Sequence, residues 1–146
     1  MGFHSFTGND SVVLDCRNIL HAGGQYIRQR ITTRNLRGVL QPVFRCIDSL
    51  NQNTRTPNIV CVLHSSFGRQ ICNAMVNLLH AHARNTCVAM YTGALRCGDD
   101  LLAIQLGMEL RAPVVTNDRF REHRSFQFLP ESEYVVYYQH TYSSGD

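Results

Sequence analysis

The chain of 146 residues contains no lysine, and all of its 14 basic residues are arginine. This absence excludes any mechanism that uses a lysine base or a lysine Schiff base. A GC-rich coding sequence would explain the bias without a functional cause. The alternative explanation is functional, because the planar guanidinium group suits phosphate groups and stacked bases better than an ammonium group does.

Several other patterns are missing. None of the six cysteines belongs to a CxxC pair, so a structural zinc site is not expected. Most lie in apolar runs such as NIVCVLH and TCVAMY, which is typical of small buried side chains in a reducing, intracellular compartment. No apolar run approaches the roughly 18 residues of a transmembrane helix, so we expect no membrane association. A nucleotide-binding or phosphatase-like domain is a weaker hypothesis, since GxGxxG, Walker and DxDx[TV] motifs are absent.

The composition is that of a folded globular protein. Hydrophobic residues make up 44% of the chain and charged residues 17%. The length suits one domain over residues 1–146, burying about two-thirds of the surface of the unfolded chain. The formal net charge of +3 is too small to identify a nucleic-acid-binding protein by itself.

Apolar patterns predict strands that alternate with helices. Strands are expected at SVVLDC, PNIVCVLH, TCVAMYTG, APVVTND and EYVVYYQHTY, the last either covered or offering an edge to a partner. Helices are expected at RNLRGVLQPVFRCIDSLNQ, with Pro42 as a candidate kink, and at GRQICNAMVNLLHAHAR and GDDLLAIQLGMELR. Residues 21–33 are expected to form a loop or a short irregular helix. The alternation indicates an α/β fold with a mostly parallel central sheet and helices on both faces.

Acidic residues stand at the ends of these predicted strands. Asp15 ends the first strand, Asp99 and Asp100 begin the helix after the third, and Asp118 ends the fourth, which is expected to be central. Because ligands bind at the carboxyl ends of parallel strands, the four acids should lie together. Each one alone could be an ordinary cap or turn residue. Carboxylates gathered without basic partners need a cation, and oxygen ligands favour Mg²⁺ or Mn²⁺.

Arginines accompany these acids. Arg17 follows Asp15 closely, and Arg119 and Arg121 follow Asp118. A metal held by carboxylates can activate water and polarise a phosphoryl oxygen, while arginine side chains hold the neighbouring phosphates. The pattern indicates phosphodiester hydrolysis on an anionic polymer.

Three motifs resemble the NYN branch of the PIN-like nucleases. VVLDCRN is similar to the first-strand motif of that family, GDDLLAIQLGMEL to its paired-acid helix and VVTNDRFREH to its fourth-strand segment. The set most closely resembles the metallonuclease domain of protein-only RNase P, and Regnase-type endoribonucleases share the acids less closely. The resemblance spans Val12 to Phe126. It implies a PIN-like three-layer sandwich and a metal-dependent endoribonuclease. Our leading hypothesis is that this enzyme acts on single-stranded or loop RNA.

The resemblance also assigns roles to individual residues. It implies catalysis and metal binding by Asp15, Asp99, Asp100 and Asp118, metal binding by Glu122, support of the site by Asn18, and a place near the scissile phosphate for His123. Together with the arginines, the expected substrate contacts are Asn18, Arg17, Asn117, Arg119, Arg121 and His123. Cys16 departs from the usual glycine of the family, and Glu122 stands in place of its usual aspartate. These departures leave the acid cluster complete, which favours activity.

A second hypothesis is a PIN-like subunit that binds RNA or assembles a larger ribonucleoprotein without cleaving it. The helical repeats and the zinc-binding region that accompany this domain in protein-only RNase P have no counterpart in these 146 residues. We therefore expect substrate recognition to depend on a separate RNA-recognition protein, on a homo-oligomer, or on the loop after the first strand alone, which carries Arg28, Arg30, Arg34 and Arg37.

Overall fold

A computed structural model describes residues 10–23, 30–52, 55–117 and 128–139 of the chain. Its five strands are β1 (Ser11–Asp15), β2 (Asn58–His64), β3 (Thr86–Tyr91), β4 (Val114–Val115) and β5 (Tyr134–Tyr137), and its α-helices are α1 (Cys16–Gly23), α2 (Leu36–Val39), α3 (Gln41–Leu50), α4 (Arg69–His82) and α5 (Gly98–Leu110). The strands form one sheet in the order β4-β1-β2-β3-β5. Strands β1 to β4 pair in parallel, and β5 runs antiparallel to β3.

Helices cover both faces of this sheet. On one face, Leu14 and Leu63 pack with buried side chains of α1, α2, α3 and α4. On the other face, Val13 packs with Leu102 and Leu106 of α5. Successive strand residues point to opposite faces, and burial on both sides explains why the central strands read as continuous apolar runs. The predicted α/β class, with a mostly parallel central sheet between two helical layers, is confirmed.

The helices differ from the sequence-based expectation at two places. Helix α1 begins at Cys16, directly after β1, and ends at Gly23, so it starts before the segment in which a loop or irregular helix was expected. The long helix expected around Pro42 is instead α2 and α3, which meet at Leu40. Pro42 lies in the first turn of α3, where its missing N–H breaks no helical hydrogen bond. No helix in the described ranges is long and apolar enough to cross a membrane.

The short strand β4 corrects a further expectation. The segment APVVTND was expected to form a central strand, but β4 comprises only Val114 and Val115 and pairs with β1 alone among the described strands. It therefore lies at the edge of the sheet, and both of its side chains are only partly buried. An apolar run indicates a strand but not how many neighbouring strands pair with it. The predicted central position of the fourth strand was wrong for this reason.

All six cysteines lie in the described ranges, and none forms a disulfide. Cys16, Cys61, Cys72 and Cys87 are buried, whereas Cys46 and Cys97 are partly exposed. A hydrogen bond to Cys61, together with burial, raises the pKa of the Cys16 thiol. The Cys16 thiol therefore stays protonated at neutral pH. The four buried cysteines pack as small apolar side chains, as their sequence context predicted.

Candidate metal centre

Three acidic side chains meet at the carboxyl edge of the sheet. Asp15, Asp99 and Asp100 each present one carboxylate oxygen, and these oxygens all lie within 4.8 Å of one another. Asp15 is the last residue of β1, and the other two lie in the first turn of α5. Helix α5 packs over β1, which brings the start of the helix to the end of the strand. The convergence expected for these three acids is present, and their role stays a prediction.

Burial makes this cluster electrostatically unfavourable. The side chains of Asp15 and Asp99 are fully buried, and Asp100 is partly buried. Asp99 Oδ2 has no hydrogen-bond partner within the described part of the chain. Burial raises the pKa of Asp99, and the neighbouring guanidinium of Arg17 only partly opposes this effect. A buried carboxylate oxygen without a partner costs free energy that a cation beside it would offset.

Arg17 balances part of the negative charge. Its Nη2 donates to Asp99 Oδ1 at 2.7 Å and to the carbonyl oxygen of Arg96 at 2.7 Å. The guanidinium thus ties α1 to the loop that precedes α5, in addition to the substrate contact that the sequence predicts for Arg17. When all three aspartates are ionised, one arginine leaves two negative charges in the cluster. These two remaining negative charges equal in magnitude the charge of one divalent cation.

The donor set fits a hard divalent ion. Mg²⁺ takes oxygen ligands at about 2.0–2.1 Å, so oxygens on opposite sides of the ion lie roughly 4 Å apart. The 4.8 Å limit on the cluster is close to this span, and small side-chain movements would close the difference. Oxygen-only ligands of this type favour Mg²⁺ or Mn²⁺ over zinc or copper. Asp15, Asp99 and Asp100 are the described residues that could hold such an ion.

Two hydrogen bonds connect the residues directly after β4 to this site. Thr116 Oγ1 donates to Asp15 Oδ2 at 2.9 Å, and the N–H of Asn117 donates to Asn18 Oδ1 at 2.7 Å. These bonds explain how Asn18 and Asn117, both predicted from the sequence as site residues, lie beside the acids. Sequence reasoning did not single out Thr116. The available signal was its place at the end of an apolar strand, the same context that identified Asp15.

His64 is a second residue that sequence reasoning missed. It ends β2 and is 5% exposed. Its Nδ1 accepts the N–H of Ser66 at 3.0 Å, and its Nε2 lies 2.8 Å from the carbonyl oxygen of Leu95, a pattern that fits the neutral tautomer with the proton on Nε2. The ring also contacts Tyr91 edge-on at a centroid distance of 5.1 Å. His64 therefore holds the loop before α5 in place.

Five of the residues named from the sequence, Asp118, Arg119, Arg121, Glu122 and His123, lie outside the described residues, so their part in the site stays a prediction. No family model, curated protein or solved structure matches the chain. The residues that the structure brings together are Asp15, Asp99, Asp100 and Arg17 at the cluster, with Asn18, Thr116 and Asn117 beside it.

The raised pKa of Asp99 predicts a pH dependence of stability. In the metal-free protein, the native state holds the Asp99 proton more tightly than the unfolded state does, so the free energy of unfolding should fall as pH rises from about 4 toward neutrality. Asp99→Asn removes this contribution. In urea unfolding with EDTA present, the stability of Asp99→Asn relative to the unsubstituted protein should therefore increase with pH.

Glu109→Gln is the matched control, because Glu109 is an exposed acid on the same helix. It should show no comparable gain with rising pH. A stability difference for Asp99→Asn that stays constant over this pH range would contradict the assignment of a raised pKa to Asp99.

Proposed function

We propose that the chain is a metal-dependent endoribonuclease of the PIN-like (NYN) type, which hydrolyses RNA phosphodiester bonds at the aspartate cluster. The observation that carries the proposal is the meeting of Asp15, Asp99 and Asp100 within 4.8 Å, with two of them fully buried. Helix caps and turns need a single carboxylate near solvent, and they do not require three carboxylates to be gathered against their mutual repulsion. A divalent cation removes that repulsion.

The fold is compatible with this proposal. A mostly parallel sheet with helices on both faces places ligand sites at the carboxyl ends of its strands, and the aspartates lie at that edge. The motifs around Asp15 and Asp99 that resemble NYN nucleases fall on the end of β1 and the start of α5. These positions support the NYN assignment.

The side chains of this site would have separate roles in ion binding, water activation and phosphate binding. Asp15, oriented by Thr116, and Asp99, oriented by Arg17, would hold the ion together with Asp100. Bound Mg²⁺ or Mn²⁺ supplies a polarised phosphoryl oxygen and a water of lowered pKa. Asp100 is the acid of the three that solvent reaches, so it is placed to orient the attacking water and to receive its proton. Asp118, Glu122 and the arginines of the following segment would complete the ion site and hold flanking phosphates.

The experiment that tests the proposal is a metal-removal assay. The purified chain should cleave single-stranded RNA oligonucleotides in Mg²⁺ or Mn²⁺, EDTA should abolish the cleavage, and added Mn²⁺ should restore it. Calorimetry should show Mn²⁺ binding in the absence of RNA, because the cluster alone attracts the ion.

The second candidate, a non-cleaving PIN-like RNA-binding or assembly subunit, makes the opposite prediction. The chain would then form a stable complex with RNA that survives intact in added Mn²⁺. Size measurement of that complex, followed by analysis of the recovered RNA, separates the two functions. Intact RNA with saturating Mn²⁺ and with the native RNA-binding partner present would rule out the nuclease proposal.

A further inference from the structure

A pocket of about 330 Å³ opens between α1, α3 and the end of β4. Much of its wall is apolar, formed by Ile19, Ala22, Pro42 and Val115. Pockets for small molecules span about 300–1,000 Å³ and combine mainly apolar walls with a few polar groups. The volume lies at the lower end of that range, which suits one nucleoside.

The polar side of the pocket is continuous with the aspartate cluster. Asn18, Thr116 and Asn117 line it. Thr116 also donates to Asp15, and Asn117 donates its backbone N–H to Asn18. A phosphate held at the aspartates would therefore carry its neighbouring nucleoside to the mouth of this pocket. The side-chain amides of the two asparagines offer donors and acceptors of the kind that read the edges of bases.

Arg45 supplies a cation at the rim. It lines the pocket and is exposed on α3. Among the described residues it has no acidic partner, whereas Arg17 and Arg55 each have one. A guanidinium without a carboxylate partner can bind a phosphate on the far side of a nucleoside in the pocket.

We propose that this pocket binds the nucleoside next to the scissile phosphate, as a single unstacked unit of the RNA strand, with Arg45 on the next phosphate. The proposal rests on the proposed nuclease function and names its substrate class. A base inside a duplex would first have to leave its stack to enter the pocket, whereas bases in single strands and loops are already free to do so. The pocket thus restricts cleavage to unpaired RNA.

Ala22→Phe tests the proposal by filling the pocket. Ala22 is exposed on α1, so the larger side chain costs no core packing. In ligand-observed NMR titrations with Mg²⁺, the dissociation constants of AMP and UMP should rise at least about tenfold, as expected when an apolar site is blocked. Binding of inorganic phosphate should not change. Ala81→Phe, an exposed alanine on α4, is the matched control and should bind both nucleotides normally.

Arg45→Gln is the second variant, and Arg84→Gln is its control on another exposed arginine. Arg45→Gln should raise KM for a single-stranded RNA oligonucleotide severalfold, while hydrolysis of bis(p-nitrophenyl) phosphate, which has no nucleoside, should be unchanged. Unchanged AMP and UMP affinity in Ala22→Phe, or no nucleotide binding by the unsubstituted protein, overturns the pocket assignment.

The two proposals fail in distinguishable ways. If the chain cleaves RNA in a metal-dependent manner and Ala22→Phe cleaves it with unchanged KM, the pocket assignment is overturned and the nuclease proposal stands. If the chain cleaves no RNA but binds AMP and UMP in a manner that Ala22→Phe weakens, the pocket is a nucleoside site as assigned, and the nuclease proposal fails together with the scissile phosphate beside that site.

Discussion

Asp15→Asn should lower the rate of RNA cleavage by about 1,000-fold or more, which corresponds to about 4 kcal/mol of transition-state stabilisation. Asp15 is fully buried at the end of β1, and its carboxylate is one of the three that converge. Asparagine has nearly the same shape, but it has no charge and only one oxygen, so affinity for a divalent ion should fall with the activity. Steady-state cleavage assays and Mn²⁺ calorimetry on the same preparation measure both effects.

The folded state should survive this substitution. Removing one of three neighbouring carboxylates relieves repulsion, so the metal-free variant should be at least as stable to urea as the unsubstituted chain. Asp48→Asn is the control for losing an acid elsewhere, because Asp48 is an exposed residue of α3 that pairs with His82. The control should keep full activity. Normal cleavage and normal Mn²⁺ affinity in Asp15→Asn would refute the metal centre.

Gly98→Ala should damage both the stability and the activity of the protein. A Cβ at Gly98 would overlap Cε2 and Cζ of Tyr91. The Tyr91 ring is fully buried, and its hydroxyl donates to Glu133 and accepts the N–H of Leu95, so the ring has little freedom to move away. The first turn of α5, which carries Asp99 and Asp100, must shift instead.

We expect Gly98→Ala to lose about 1–3 kcal/mol in the free energy of unfolding, the usual cost of overpacking. Activity should fall about 100-fold, since a displacement near 1 Å at a catalytic site has an effect of that order. Urea unfolding and cleavage assays measure the two quantities. Gly38→Ala is the matched control: Gly38 is in helix α2, and beyond the adjacent helix backbone no atom of the described residues lies within 4 Å of a Cβ there.

The control substitution should raise stability by about 0.5–1 kcal/mol, because alanine loses less conformational entropy than glycine in a helix. Its activity should be unchanged. If Gly98→Ala behaved like this control, the close packing of α5 against Tyr91 would be wrong, and so would its role in placing the aspartates.

Strands β1, β2 and β3 could be predicted from the sequence because each is buried on both faces. Burial on two sides requires a continuous apolar run, and such a run is visible without any knowledge of tertiary contacts. Helix α5 was also predictable from a local pattern, since its glycine and two acids mark a helix start. Local patterns of this kind also identified Asp15, Asp99 and Asp100 as acids at the sheet edge.

Other features depended on contacts that no local pattern contains. Helix α1 follows β1 without a loop. The helical segment around Pro42 is interrupted at Leu40 and is not kinked at the proline. The edge position of β4 depends on which strands pair with it, and Val114 and Val115 look the same in sequence at an edge or in the centre. In each case the outcome follows from packing against distant elements.

The order of apolar runs, glycines and acids determined which segments become strands and helices, and it placed three carboxylates at the ends of elements that share one sheet edge. It did not determine their surroundings. Thr116 reaches Asp15 across 101 residues of chain, and Arg17 reaches Asp99 across 82. Such contacts exist only because α5 packs over β1 and β4 pairs beside it. Local propensities act over a few residues, whereas the burial and charge balance of the aspartates arise when these distant elements come together.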